Sequence, residues 1–82
     1  MKYSEEKIKE LQNNDDIISI TFTKDIGHSG AEYFYINYED KNLEKPIQGE
    51  ITKSEYDSFP SDKQSAIIAS GMVINIKIIK SL

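Results

Sequence analysis

The chain of 82 residues has no cysteine, no arginine and no tryptophan, and its longest run of apolar residues is four. Without cysteine, neither a disulfide nor a cysteine-ligated zinc ion can stabilise so small a fold, so its stability must come from packing. The short apolar runs exclude a membrane-spanning helix, and the first ten residues lack the apolar region of a signal peptide. We therefore expect a single soluble, cytoplasmic domain over residues 1–82.

The absence of arginine also bears on ligands, because arginine is the side chain best suited to phosphates and guanine edges. Direct nucleic-acid binding is therefore disfavoured, although fourteen isoleucines and ten lysines are also typical of an AT-rich genome, which offers a second reason for the missing arginine. The net charge is −4. Residues 1–41 carry nine acids and five lysines, whereas residues 42–82 carry five of each, so the acidic excess lies in the first half.

The N-terminal segment has the pattern of a helix. Ser4 is a favourable N-cap, and we predict a helix over residues 5–13. Its apolar face consists only of Ile8 and Leu11, so we expect it to pack lightly on the rest of the chain. The polar residues 13–16 that follow are typical of a turn.

Four segments alternate apolar and polar residues with a period of two, which predicts four strands with one buried face. The segments are residues 17–24, 32–39, 47–52 and 72–80. The predicted buried faces are Ile18, Ile20 and Phe22 in the first segment, Phe34, Ile36 and Tyr38 in the second, Ile47 and Ile51 in the third, and Met72, Ile74, Ile76 and Ile78 in the fourth.

Between the third and fourth strands, two S/T-x-x-E/Q capping boxes predict short helices over residues 53–59 and 62–70. Pro60 ends the first helix, and Gly71 is suitably placed to follow the second. Gly49, inside the third strand, indicates a bulge or a close backbone approach. The order α-β-β-β-α-α-β predicts an α+β fold with a four-stranded, mostly antiparallel sheet and helices on one face.

Motifs for catalysis, metal binding or cofactor binding are not recognisable. The only histidine, His28, lies in the segment 25–30, which does not match the nucleophile elbow and is typical of a glycine-containing loop. One histidine without cysteine does not make a zinc site, and the segment 40–51 lacks the glycine and the final glutamate of a calcium loop. The four glycines do not form a phosphate-binding loop. We therefore expect a non-enzymatic protein without a cofactor.

Two tyrosines, Tyr33 and Tyr35, are predicted to lie on the sheet face opposite the core. One interpretation is that they lie near Thr21 and Ser19 of the first strand and stabilise a half-exposed sheet through cross-strand contacts with threonine. The other is a contact surface for a second protein, because tyrosine adds large contact area with few rotatable bonds. In that case Asp25 and Glu32 would form an acidic rim suited to a basic partner, and His28 would be a further contact at the neighbouring loop.

These observations favour a small acidic module that binds another protein and occludes its surface, such as an inhibitor, an immunity protein or a phage-type accessory protein. Four acids of the first half, Glu5, Glu6, Asp15 and Asp16, are additional candidate contacts. The same observations leave open a nucleic-acid mimic or a nucleic-acid-associated protein. In a mimic, these four carboxylates would imitate a row of phosphates.

The predicted last strand suggests another alternative. Val73 and Ile79 lie off its apolar face, and Lys77 and Lys80 would guard an exposed sheet edge. An open edge would allow a homodimer or a homo-oligomeric structural component held by strand pairing.

Overall fold

A computed structural model describes residues 1–70 and 72–81, apart from the side chain of residue 69. Its elements are α1 (Glu5–Gln12), β1 (Ile17–Ile26), β2 (Glu32–Asp40), β3 (Ile47–Glu50), α2 (Lys53–Ser58), β4 (Gln64–Ala69) and β5 (Met72–Ser81). The strands form one antiparallel sheet in the order β3-β2-β1-β5-β4. The α+β class is thus confirmed, whereas the predicted number of strands and order of elements are wrong. Within the described ranges, no helix has the length and apolarity needed to cross a membrane.

The segment 62–70 contains the edge strand β4 rather than the predicted second helix. Ser61 does not cap a helix, because its hydroxyl donates a hydrogen bond to the carbonyl oxygen of Ile78 in β5. Two adjacent β-branched isoleucines in this segment also favour an extended backbone. The predicted role of Gly71 at the end of a helix lies outside the described residues.

Helix α1 begins as predicted and ends one residue earlier. The side chain of Ser4 accepts a hydrogen bond from the backbone N–H of Lys7 at 3.2 Å, which satisfies one of the free donors of the first turn. Ile8 and Leu11 are both buried in the core. The helix is therefore docked on the sheet despite its narrow apolar face.

Lys80 joins the end of this helix to β5. Its Nζ donates hydrogen bonds of 3.0 Å to the carbonyl oxygens of Gln12 and Asn14. Lys80→Met keeps the apolar stem and removes the charged donor, so we expect the free energy of unfolding in urea to fall by about 1.5 kcal/mol. Lys9→Met is the control, since Lys9 forms an exposed pair with Glu5 and should cost below about 0.5 kcal/mol. Equal losses would contradict the bridging role.

Helix α2 confirms the first capping box. The N–H of Glu55 donates to Thr52 Oγ1 at 3.2 Å, and the N–H of Thr52 donates to Glu55 Oε1 at 2.9 Å. The helix ends one residue before the predicted boundary. Tyr56 and the following Phe59 are buried. These two rings cover the same sheet face as α1.

We call the sheet face that carries both helices the inner face. Phe22 at the centre of β1 is fully buried there. The centroid of its ring lies 6.2 Å from that of Tyr56 and 5.6 Å from that of Phe59. Aromatic pairs at these separations contribute attraction beyond the burial of their area. The buried apolar residues form one cluster, namely Tyr3, Ile8, Leu11, Ile17, Ile20, Phe22, Ile36, Tyr38, Ile51, Tyr56 and Phe59.

Gly49 is the close-approach position that the sequence indicates. A Cβ atom at this residue would overlap the ring of Tyr3, which lies directly over the glycine. Backbone hydrogen bonds from Tyr3 to Glu50 (2.9 Å) and from Glu50 to Met1 (2.8 Å) hold residues 1–3 along the outside of β3. The Tyr3 hydroxyl lies 2.7 Å from that of Tyr38, and burial together with this contact raises the pKa of Tyr38 to about 12.

Strand β5 is central, and its two faces are the reverse of the predicted ones. Its register pairs Lys77 with Phe22 and Ile76 with Thr23. Directly opposite residues of antiparallel strands point to the same face, so Lys77 lies on the inner face and Ile76 on the other. The predicted core face of Met72, Ile74, Ile76 and Ile78 is therefore wrong.

The first residues of β1 show a smaller correction. A register shift between Ile17 and Ser19 places an extra residue in β1 opposite β2. Ile17 is consequently buried, whereas Ile18, which the alternation predicts as a core residue, is only half-buried. Bulges of this kind change which residues face the core.

Candidate functional site

The sheet face opposite the helices, which we call the outer face, carries large apolar side chains on β2, β5 and β4. Strand β1, which lies between β2 and β5, contributes the polar residues Thr21, Thr23 and Asp25 to this face. The strand registers place most of these residues in two adjacent rows across the sheet, and Ile78 lies in the next row, opposite Thr21. One row consists of Ile67, Ile74, Asp25 and Tyr33, and the next of Ser65, Ile76, Thr23, Tyr35 and Glu50.

Six residues of this face form what we call the outer patch: Tyr33, Tyr35, Ile67, Ile74, Ile76 and Ile78. Tyr33 is 53% exposed and Ile67 is 50% exposed, while the other four are half-buried by their neighbours. Adjacent strands lie about 4.8 Å apart, so one row of four residues spans roughly 14 Å. Apolar patches of this kind on a small domain mark surfaces that bind other molecules.

The two tyrosines lie on the face that the sequence predicts. Tyr33 is opposite Asp25, and Tyr35 is opposite Thr23, so the predicted neighbours Thr21 and Ser19 are wrong. The pair of Tyr35 with Thr23 fits cross-strand stabilisation, and the exposure of Tyr33 fits a contact surface, so both interpretations match this geometry. Asp25 lies within the outer patch, between Ile74 and Tyr33, rather than at the rim that the sequence predicts.

A groove of about 240 Å³ lies beside the tyrosines, at the edge of β2 beyond the end of β3. Its charged lining comprises Glu32, Glu50 and Glu55 together with Lys2, so carboxylates outnumber ammonium groups. The volume is below the roughly 300–1,000 Å³ of typical small-molecule sites. The groove is better sized for a single basic side chain of a protein partner.

Glu32, one of the predicted contacts, lies on the inner face, because it is opposite Ile26 in the sheet. The Glu32 carboxylate lies 3.7 Å from Lys24 Nζ, and Lys24 is an inner-face residue of β1. His28 is exposed in the turn between β1 and β2, in which Gly30 adopts a φ of +83°. The turn places His28 at the same end of the sheet as Tyr33.

The other acidic candidates lie away from the outer patch. Asp15 and Asp16 precede β1, whereas Asp25 is near the end of this strand. Because β1 is extended, roughly 30 Å separates these two acids from Asp25. Asp16 lies 3.2 Å from Lys41 Nζ and accepts a hydrogen bond from Asn42, and these contacts hold its pKa below the usual value.

Glu5 and Glu6 occupy the first turn of α1, on the helix that covers the inner face. Glu5 lies 3.3 Å from Lys9 Nζ, and both side chains are exposed. These four candidate acids, Glu5, Glu6, Asp15 and Asp16, therefore belong to a different part of the surface from Tyr33 and Tyr35.

Lys77 is the main buried charge that the sequence does not reveal. It is predicted to guard an edge, but its Nζ is buried on the inner face and donates a 2.7 Å hydrogen bond to the carbonyl oxygen of Tyr56. The ammonium also lies 4.6 Å from the centroid of the Tyr56 ring, and burial lowers the pKa of Lys77. The long stem lets a strand residue face the core while its charge is satisfied.

The sequence does not identify Ile74, Ile76, Ile78 and Ile67 as residues of the outer patch. It predicts the first three for the core face of a strand and Ile67 for a helix. Both faces of β5 carry apolar residues, since Val73 and Ile79 alternate with the isoleucines, so the period of two does not identify the buried face. This two-sided apolar pattern is itself a signal of a central strand.

Among residues 1–70 and 72–81, no three histidine or acidic side chains lie close enough together to hold a metal ion. No protein-family model matches the chain, and no curated protein or solved structure shows significant similarity to it.

Proposed function

We propose that the chain is a non-enzymatic module that binds another protein through the outer patch and occludes the surface it contacts, in the manner of an inhibitor or accessory protein. The observation that carries this proposal is the set of six tyrosine and isoleucine side chains on the helix-free face of the sheet, which lie on the two sides of the polar residues of β1. Covering these side chains would remove apolar area from water and so favour association.

The charges beside the patch indicate the chemistry of the partner. Asp25 lies within one apolar row, Glu50 ends the other, and the groove beside Tyr33 and Tyr35 is lined mainly by carboxylates. A lysine or arginine of the partner entering this groove would pair with a carboxylate and stack on a tyrosine ring. We therefore expect a partner whose contact surface has an apolar centre and at least one basic residue at its rim.

Tyr33 is the residue expected to contribute most to binding. It is half-exposed, lies in the row with Ile67 and Ile74, and borders the acidic groove. Tyrosine is enriched among the few interface residues whose truncation weakens binding strongly. An anchor of this kind, between the apolar row and the acidic groove, should control the dissociation rate.

Binding is tested by immobilising the chain and capturing proteins from the lysate of its native host or of a competitor, with identification by mass spectrometry. We expect Tyr33→Ala to weaken binding of the captured protein by at least about 30-fold, equivalent to roughly 2 kcal/mol. The matched control is Leu43→Ala, because Leu43 is also 53% exposed but lies in the β2–β3 connection. Calorimetry or surface plasmon resonance measures both affinities.

Two results would contradict this proposal. One is capture of no protein, and the other is a captured protein whose affinity is the same for Tyr33→Ala and wild type. Charge reversal at Asp15 and Asp16 distinguishes this proposal from a nucleic-acid mimic. A mimic would lose affinity on these substitutions, and its affinity would fall steeply with added salt. Binding through the outer patch should change little with these two substitutions.

A further inference from the structure

The two edges of the sheet differ in how they are protected. At the β3 edge, the backbone N–H and C=O of Glu50 are bonded to residues 1–3, and Glu50 also carries a charge. In the described part of the chain, β4 is the opposite edge and pairs only with β5. From Gln64 to Ala69 it contains neither a charged residue nor a proline, which are the usual means of preventing strand pairing at an edge.

The register shows which backbone groups of β4 face outward. The N–H of Ile78 donates to the carbonyl oxygen of Lys63 at 2.9 Å, and Gln64 lies opposite Lys77. Hydrogen-bonded and non-hydrogen-bonded pairs alternate in an antiparallel ladder. The N–H and C=O groups of Gln64, Ala66 and Ile68 therefore point away from β5 and towards the open edge.

The side chains of this strand are also accessible. Ile67 is 50% exposed on the outer face, and Ile68 is 79% exposed on the inner face. Both are β-branched residues that favour an extended backbone and pack well against a neighbouring strand. An uncharged edge with free backbone groups and exposed isoleucines is a template for one more strand.

We propose that β4 pairs antiparallel with β4 of a second copy of this chain, about a two-fold axis at Ala66. Ala66 then lies opposite Ala66 of the second copy, and Gln64 lies opposite Ile68 of the second copy. This register uses all three outward-facing residues of the strand, and each hydrogen-bonded pair exchanges two backbone hydrogen bonds. The small side chain of Ala66 allows close approach at the axis.

A second copy fits this edge because the pairing is self-complementary. No like charges face each other across the axis, although the whole chain carries a net charge of −4. The two-fold axis is perpendicular to the sheet, so both outer faces lie on one side and Ser65 faces Ile67 of the second copy. The two outer patches would then form one surface, a consequence that does not depend on what the patch binds.

The association is measured by sedimentation equilibrium or light scattering of the full chain over a concentration series. We expect the molar mass to rise from 9.4 kDa towards twice that value as concentration increases. One six-residue strand pair falls below the roughly 1,200 Å² of a standard interface, so dimers should dissociate on dilution.

Ala66→Pro should abolish dimerisation without loss of the fold, since the missing N–H faces away from β5.

A charge exchange distinguishes this two-fold pairing from other contacts. Ala66→Lys and Ala66→Glu should each be monomeric, because identical charges would lie opposite each other, whereas an equimolar mixture should form the dimer again. Gln48→Lys in β3 places the same charge at the other edge and should leave dimerisation unchanged. The proposal is overturned if the wild type stays at 9.4 kDa throughout the series, if Ala66→Pro still dimerises, or if the mixture remains monomeric.

Discussion

Phe22→Ala is expected to lower the free energy of unfolding by about 3–5 kcal/mol. The side chain is fully buried at the centre of β1 and contacts the rings of Tyr56 and Phe59. Its removal leaves a cavity between the sheet and the segment that contains α2, which a short helix and a rigid strand cannot fill by small shifts. Because a domain of this length has a total stability of roughly 4–12 kcal/mol, the variant should be close to unfolding.

Chemical denaturation monitored by circular dichroism measures this loss. Tyr33→Ala is the matched control, because Tyr33 is an aromatic residue of the same sheet on the outer face. It should cost below about 1 kcal/mol, since only cross-strand contacts are lost. Similar losses at Phe22 and Tyr33 would show that the two faces of the sheet are wrongly assigned.

The elements that the sequence predicts well are those with local signals. The caps Ser4 and Thr52 satisfy donors within three residues of themselves, so their geometry depends little on the rest of the fold. In β1 and β2, Phe22 and Ile36 alternate with polar or exposed residues, and the structure buries both. Such patterns identify the element and its buried face together.

The segment that forms β4 shows where local signals fail. Ser61 and Gln64 match a capping box, and the residues that follow are compatible with an amphipathic helix. The hydroxyl of Ser61 instead donates to Ile78 in β5, and the backbone of Lys63 pairs with the same residue. Tertiary pairing with a central strand therefore overrides the local pattern.

The candidate site is only half predictable for the same reason. Tyr33 and Asp25 are adjacent because β1 and β2 form a hairpin, which the sequence indicates. The isoleucine part of the outer patch depends on the position of β5 between β1 and β4, and on Lys77 facing the core. Strand order and a buried lysine are set by long-range packing, to which sequence periodicity is insensitive.

Gly49→Ala is expected to lower the free energy of unfolding by about 3 kcal/mol. The new methyl group would overlap the ring of Tyr3, and the short distance to the backbone oxygen of Met1 leaves little space on the other side. Tyr3 would have to leave its buried position and lose its hydroxyl contact with Tyr38. The N-terminal segment would then detach from the β3 edge, which thermal denaturation and amide hydrogen exchange at Glu50 would detect.

A double-mutant cycle tests whether the ring of Tyr3 is the cause. In a Tyr3→Ala background the space above residue 49 is empty, so adding Gly49→Ala should cost below about 0.5 kcal/mol. Tyr3→Phe is the second control, because it keeps the ring and should leave the cost of Gly49→Ala close to its full value. Additive losses for Tyr3→Ala and Gly49→Ala would contradict the contact. Strong coupling would establish that this glycine is required by a neighbouring side chain rather than by its own backbone conformation.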